Sequence, residues 1–192
     1  MSQTAESTRT IDGVELPPAG IYNVDTAHSS VDVVARHLMV TKVRGHFAKF
    51  SGTVTIAEVP EESKVSATIE TASFTSGQEM RDNHVLSADF LDAEHYPTIT
   101  FESTRLVRGK GSEFQLEGDL TVHGVTKPIT LNCEYTGVTS HPQMGTRVGL
   151  SASAEIDRFD FGVAFSAALE TGSLIVSRNV RIELEVQLVA AQ

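Results

Sequence analysis

The sequence predicts an all-β fold: an eight-stranded antiparallel up-and-down β-barrel with one short helical segment between strands three and four. Three observations predict it. Eight stretches of the 192-residue chain alternate apolar and polar residues with period two, the pattern of a strand with one buried face. Most are joined by short turns, and a parallel crossover needs far more chain, so neighbours pair antiparallel. Long one-sided strands in an open sheet would leave exposed edges, which closure removes. A sandwich is the alternative, but sequential hairpins suit a meander better than Greek-key crossovers.

Residues 1–20 are polar, contain Pro17 and Pro18 and show no sustained periodicity, so they are expected to form a flexible N-terminal arm. Residues 21–192 are expected to form a single barrel domain. Its first strand places Val31, Val33, Ala35, His37 and Met39 on one face, with Ser30, Asp32 and Arg36 opposite. After a short turn, Lys42 opens a second strand whose apolar set is Phe50, Gly52, Val54 and Ile56. Phe47 is out of phase with that set, which predicts a bulge or bend between Phe47 and Phe50. Val65, Ala67, Ile69 and Thr71 mark the third strand. The periodicity then changes: Gln78 to Leu91 has no Pro or Gly, and Met80, His84, Ala88 and Leu91 share one helical face, as do Leu86 and Phe90. Ser87 is placed to cap a second short turn holding Phe90 and Leu91.

Pro97 ends the helical segment, and Ile99, Phe101 and Ser103 share one side of the next strand. Phe114, Leu116, Gly118, Leu120 and Val122 alternate with polar residues, as do Ile129, Leu131, Cys133 and Tyr135 after a reversal at His123 to Thr126. Val148, Leu150, Ala152, Ala154 and Ile156 form the seventh apolar row. A loop from Asp157 to Ser177 leads to the eighth, Val180, Ile182, Leu184, Val186 and Leu188.

Composition narrows the function. The net charge is −10, from 15 Lys and Arg against 25 Asp and Glu, and no basic stripe stands out, so a nucleic-acid surface is disfavoured and an anionic membrane repels the chain as a whole. No apolar run is long enough to span a bilayer, so no stable membrane insertion is expected. One cysteine, Cys133, excludes an internal disulfide framework and a multi-Cys zinc cluster, and its place in an alternating row makes it a small core residue. The N-terminus lacks a basic region followed by an apolar one, so the expected location is cytoplasmic.

The inward rows include Ala35, Gly52, Ala67, Gly118, Ala152 and Ala154, and the chain has no Trp. Small residues on five strands favour an open interior that holds one elongated ligand; the alternative is a solid core filled by the nine Phe. The expected wall comprises Val31, Val33, Ala35, His37, Phe47, Ile69, Phe101, Leu120, Val122, Leu150 and Ile182. The helical segment must lie across a barrel end or beside the wall; over an end, Met80, Leu86 and Phe90 would gate the cavity.

Candidates for chemistry are sparse. Asp25, His28 and Ser29 have triad residue types, but three groups within five residues of extended chain do not converge on a nucleophile beside an oxyanion hole, and no G-x-S-x-G elbow is present. A polar turn that bonds to backbone is the plainer reading. Seven histidines show no H-x-x-x-H pair, so no metal and no cofactor are expected. His37, on an apolar face, reads as a satisfied core histidine or as a hydrogen-bond partner for a ligand head group. Arg158 and Asp160 read as a structural ion pair.

Assembled in order, Tyr22-x-Val24-Asp25-x-x-His28-Ser29, Arg36-His37-Leu38, Val43 to Phe47, Arg81 to Phe90, Tyr96 to Phe101, Gly118 to Pro128 and Asp157 to Val163 give a sequence that resembles the YceI-like family of lipocalin-like, lipid- or polyisoprenoid-binding barrels. The resemblance covers nearly all of Tyr22 to Val189. It implies a hydrophobic tunnel for an amphiphile with a long apolar chain, such as a polyisoprenoid, an isoprenoid quinone-like molecule or a fatty amide. It implies no catalytic residues, and a homodimer as an expected partner. Val33 stands where the family usually has Phe, a change that would widen or reshape the tunnel. The leading expectation is therefore non-enzymatic binding, transport or sequestration of such an amphiphile. The rival is a cyclase- or isomerase-type enzyme with His37 or His84 as acid or base, and a third reading is a ligand-free barrel that works by protein contact.

Overall fold

The computed structural model describes residues 8–141, 143–167 and 175–191. Each of the eight alternating stretches forms strand, although Met39, expected on the first, lies in the turn after it, and Thr71, expected on the third, opens a 3-10 turn. In chain order the strands and the α-helix are β1 (Arg9–Ile11), β2 (Val14–Leu16), β3 (Gly20–Val24), β4 (Ser30–His37), β5 (Thr41–Phe47), β6 (Phe50–Ile56), β7 (Lys64–Glu70), β8 (Phe74–Thr75), the helix α1 (Glu79–Leu86), β9 (Thr98–Arg108), β10 (Glu113–Val122), β11 (Val125–His141), β12 (Gly145–Asp157) and β13 (Asn179–Ala190). All the pairings are antiparallel.

The barrel has eight staves because two pairs of strands run end to end. β3 and β4 lie in succession along β13, from Ala190↔Tyr22 to Leu188↔Val24 and then from Glu185↔Ser30 to Arg181↔Val34. β6 and β5 lie against them in turn. From there the order runs through β7, β9, β10, β11 and β12, and β12 pairs with β13 to close the cylinder. This is the closed up-and-down meander expected from the sequence.

The phase change between Phe47 and Phe50 is a true break. At Ala48 and Lys49 the stave bends, with the Ala48 amide donating to the Ser73 carbonyl (3.1 Å) and the Lys49 carbonyl accepting from Glu70 (3.0 Å). The bend frees β5 from β7 and lets it pair with β8, His46 opposite Thr75 and Phe47 opposite Phe74. A second tight reversal, His123-Gly124, has both residues at positive φ (52° and 72°), and the Tyr96 ring lies so close to Gly124 that a Cβ there would sit 2.5 Å from it.

Two local expectations need correction. Within the stretch expected to be a flexible arm, residues 9–16 form a β-hairpin, β1 against β2, with Ile11 opposite Val14. Its turn is Asp12-Gly13, both at positive φ (51° and 80°), the dipeptide that two-residue hairpin turns select. Arg9 ties it to the barrel by donating to the Glu58 carbonyl (2.6 Å), the Pro17 carbonyl (3.2 Å) and the Ala57 carbonyl. The Tyr135 hydroxyl donates to the Glu15 carbonyl (2.7 Å). The second correction concerns the helix, which stops at Leu86 and does not run to Leu91. The Ser87 hydroxyl donates to the His84 carbonyl (2.7 Å) and accepts from the Asp89 amide (3.3 Å), and its own carbonyl accepts from the amides of Phe90 and Asp92. Ser87 thereby redirects the chain into the turn that delivers Phe90 and Leu91, a turn the Ser itself signals.

Candidate functional site: a tunnel along the barrel

Period-two strands in a closed barrel aim every second side chain inward. Here they enclose one continuous cavity of about 1250 Å³. Its wall draws on every stave, and every phenylalanine except Phe159 borders it. The openness of the interior shows in the side chains themselves: Val31, Val33, Leu150 and Ile182 point inward yet are only half-buried, because they face empty space. Packing is tighter at Val148 (1% exposed) and Leu188 (0% exposed), which with Tyr22 and Val54 form a compact cluster toward the β1–β2 end. A larger apolar cluster that includes Phe47, Phe90, Phe101 and Phe161 extends through the rest of the barrel.

The small inward residues do not simply leave space. A Cβ on Gly118 would lie 2.3 Å from the Phe101 ring, and one on Gly45 would lie 2.3 Å from the Phe74 ring. These two glycines seat phenylalanines flat against the wall, which keeps large apolar surface in the lining without filling the lumen. The expected cavity and the alternative of compensating Phe side chains are therefore both partly realised.

The structure brings the expected wall residues together around one lumen: Val31, Val33, Ala35 and His37 from β4; Phe47 from β5; Ile69 from β7; Phe101 from β9; Leu120 and Val122 from β10; Leu150 from β12; and Ile182 from β13. His37 differs from expectation in one respect. It is exposed, at the outer end of β4, where it pairs with Val176 at the tunnel rim, so it is not a core histidine. Of the three expected gate residues, Phe90 is buried and lines the lumen. Met80 borders the lumen but is 83% exposed, and Leu86 is not a lining residue. An aromatic trio packs at this end of the lumen. His84 meets the rings of Phe90 and Phe165 edge-on with centroids 5.0 Å apart in each case, and Phe90 and Phe165 are 4.9 Å apart. α1 is tied down beside them by Asp82, whose carboxylate accepts from the Ser76 amide (2.8 Å) and the Thr75 hydroxyl (2.8 Å).

Arg158 is the polar residue that the sequence reading misplaced. It opens a 3-10 turn, Arg158–Phe161, and is 5% exposed. Its guanidinium does not pair with Asp160. It donates to the carbonyls of Ser177 (2.9 Å), Val163 (2.6 Å) and Val176 (3.2 Å), and lies over the Phe159 ring at 4.7 Å and the Phe90 ring at 5.7 Å. Burial pushes its pKa below the ordinary arginine value, opposed by the nearby Asp157, but a guanidinium stays charged at any ordinary pH. Asp157 belongs to Arg178, whose Nε donates to its carboxylate (3.0 Å). Arg158 therefore staples residues 163 and 176–177 across the barrel end and completes the tunnel there. Phe165 and Val176, in the same irregular segment, also escaped the sequence reading because no periodicity marks them. Phe114, Leu131 and Leu184 are lining residues legible from strand parity alone.

Asp25, His28 and Ser29 have a structural job. Between β3 and β4 the ladder to β13 is interrupted, so Gln187, which pairs with Gly149 of β12 on one side, has no ladder partner on the other. The Asp25 amide donates to the Gln187 carbonyl (2.8 Å) and the Ser29 hydroxyl accepts from the Gln187 amide (2.9 Å). The Asp25 carboxylate takes the Gln187 side-chain amide (3.0 Å) and the His28 ring (2.9 Å), and the His28 bond chiefly holds its pKa below the usual value. The Ser29 hydroxyl is held by the Gln187 backbone and the His28 ring by Asp25, so the three side chains do not line up as a triad relay. Cys133 is buried in the wall, and burial pushes its thiol up to about 12, so it is protonated at neutral pH. Among the described residues, no three His, Cys, Asp or Glu side chains cluster closely enough to hold a metal ion.

The match to the YceI-like domain pattern extends over residues 22–188, nearly the whole barrel without the β1–β2 hairpin. The chain is a member of the YceI-like family. Its curated relatives include a UPF0312 protein of Staphylococcus aureus, 36% identical over 165 residues that span 84% of this chain and 93% of the relative. A UPF0312 protein of Vibrio cholerae is 37% identical over 153 residues, 78% of this chain and 81% of the relative. Among solved structures, Burkholderia cenocepacia BcnA superposes with a TM-score of 0.73 at 27% identity, over 85% of this chain and 98% of BcnA. The Campylobacter jejuni YceI protein gives 0.70 at 29% identity, over 82% and 90%. A polyisoprenoid binding domain from Saccharophagus degradans gives 0.67 at 17% identity, over 88% and 98%, a likeness of fold.

Proposed function

We propose that this YceI-like barrel is a non-enzymatic carrier or sequestering protein for a long-chain amphiphile, with an isoprenoid-type lipid as the favoured class. The observation that carries the reading is the continuous apolar tunnel of about 1250 Å³, lined from one barrel end to the other. That is larger than the roughly 300–1,000 Å³ of common small-molecule pockets, and a lining that runs from Asp12 of the β1–β2 hairpin to His84 of α1 suits a chain. Each buried methylene contributes ~0.8 kcal/mol, so about ten supply the roughly 8 kcal/mol of a micromolar complex before ordering costs, with no charge pairing. Three polar side chains that border the lumen are already engaged: Arg158 on three carbonyls, Tyr135 on Glu15, and His84 Nε2 on the Asp89 carboxylate at 2.8 Å. The fold likeness to a polyisoprenoid binding domain agrees with this ligand class.

Native mass spectrometry of the purified protein, followed by solvent extraction, tests the reading. A stoichiometric, chemically intact prenyl or other long-chain lipid is the expected result. Recovery of a cyclised or isomerised product would favour the enzyme, and a barrel that neither carries nor takes up any long-chain amphiphile would leave only a role in protein contact.

A further inference from the structure

The β4–β5 hairpin runs against the character of the rest of the chain. From Val33 to Ala57 there is no Asp or Glu, but there are four cations, Arg36, Lys42, Arg44 and Lys49, in a protein whose net charge is −10. At the tip, Leu38, Met39 and Val40 are 40%, 50% and 79% exposed, three consecutive apolar side chains in water. Leu38 and Met39 both have positive φ (52° and 59°) in a turn closed by the Val40 amide on the His37 carbonyl (3.1 Å), a backbone that favours Asn and Gly. Directly behind the tip, Arg36 and Lys42 face each other across the strands, a like-charge pair that weakens a hairpin. Arg44 is committed to Glu183 at 2.6 Å, but neither Arg36 nor Lys42 has a carboxylate partner among the described residues. Exposed apolar residues, an unfavourable turn and two cations with no carboxylate partner among the described residues thus coincide at one point.

We propose that this tip is a docking element for an anionic lipid bilayer, with Leu38, Met39 and Val40 dipping among the acyl chains and Arg36 and Lys42 lying at the level of the lipid phosphates. Apolar residues backed by Lys and Arg match the layering of a bilayer surface. The net negative charge does not cancel the attraction at contact, because charges more than a Debye length away, about 8 Å at physiological salt, are largely screened. A second copy of this chain is a poorer occupant, since tip-to-tip packing would oppose two cationic pairs. The location also fits: Ala35, His37 and Val43 of the same hairpin border the tunnel, and Leu38 bonds to the Ile175 carbonyl (2.7 Å) beside it, so docking sets the tunnel rim against the membrane.

The proposal concerns the hairpin and not the contents of the barrel, so it is tested on the purified protein by vesicle flotation, with native mass spectrometry reporting tunnel contents separately. Vesicles of equal parts phosphatidylcholine and phosphatidylglycerol should carry the protein, with binding roughly tenfold weaker to phosphatidylcholine alone or in high salt. Arg36→Glu places an ion pair opposite Lys42, and the double variant Leu38→Asn with Met39→Gly installs the residues the turn prefers. Both should keep or raise the melting temperature while reducing flotation roughly tenfold. Absence of flotation with the mixed vesicles, flotation unchanged in both variants, or tip-dependent self-association in sedimentation without vesicle binding would each overturn the proposal.

Discussion

Replacing Arg158 with Met tests whether the tunnel end depends on one buried cation. The substitution keeps length and apolar stem but removes three N–H donors that meet the carbonyls of Ser177, Val163 and Val176 at 2.9, 2.6 and 3.2 Å. Hydrogen bonds from a charged group contribute ~1.5–3 kcal/mol each, so the gross loss is about 5–9 kcal/mol. Against this stands relief from burying a charge, which recovers several kcal/mol and which lowers the pKa of Arg158 in the folded protein. A net loss of about 3 kcal/mol is expected, or a fall in melting temperature of about 6–12 °C for a chain of this size. The damage should also be local: amide exchange should accelerate at Val163 and Ser177, whose N–H groups bond to the Arg158 and Arg36 carbonyls, before it does in β10 or β11. Lys should be intermediate, because an ammonium cannot reproduce the planar fork that serves three acceptors. A Met variant melting within about 1 °C of the parent, with unchanged exchange at both amides, would refute the staple.

Gly118→Ala should cost about 1–3 kcal/mol in urea unfolding, because the new methyl would lie 2.3 Å from the Phe101 ring and 2.6 Å from the Glu102 carbonyl; adding Phe101→Leu should recover part of the loss, and additive effects would show that the ring is not seated on the glycine. Val33→Trp, on the tunnel wall opposite Gly45, should prevent lipid uptake in native mass spectrometry while far-ultraviolet circular dichroism is unchanged; unaltered uptake would remove this face from the binding surface. The Asp157 carboxyl is held below its ordinary 3.8 chiefly by the Arg178 guanidinium. Its contribution to stability is therefore complete above the unfolded value and is lost as pH falls through the lower folded one. Melting temperatures measured from about pH 6 to pH 2 should show a smaller acid-induced fall for Asp157→Asn than for the parent.

Strands were legible because each barrel wall has one wet and one dry face, and the sequence records that alternation directly. Even the break at Ala48 and Lys49 showed, since Phe47 and Phe50 cannot share a face without it. The β1–β2 hairpin was hidden by its length: three-residue strands such as Arg9–Ile11 carry too few alternations to register, although Asp12-Gly13 is a strong turn signal between Ile11 and Val14. At the site, wall residues followed from parity, whereas the residues that pack across the barrel end did not. Phe165 and Val176 lie in irregular chain, and what Arg158 binds is three backbone carbonyls, which no side-chain pattern encodes. The core reading of His37 fails because strand parity gives direction but not depth; the residue borders the lumen but is exposed, at the rim. Whole-chain net charge likewise concealed the acid-free run from Val33 to Ala57.

β13 is the partner of β12, β3 and β4 together, so the cylinder closes on a segment made long after the first two staves. While the chain emerges from the ribosome, β3, β4 and β12 all wait as unpaired edges and the future lumen is an apolar trough open to water. Contacts between chain segments this far apart form slowly, and half-closed sheets of this kind are prone to pair with one another. A long-chain lipid lying in that trough would shield it during the wait. Its release would then require reopening the same seam or passing through an end, so loading during synthesis and exchange by the mature barrel would be physically separate events.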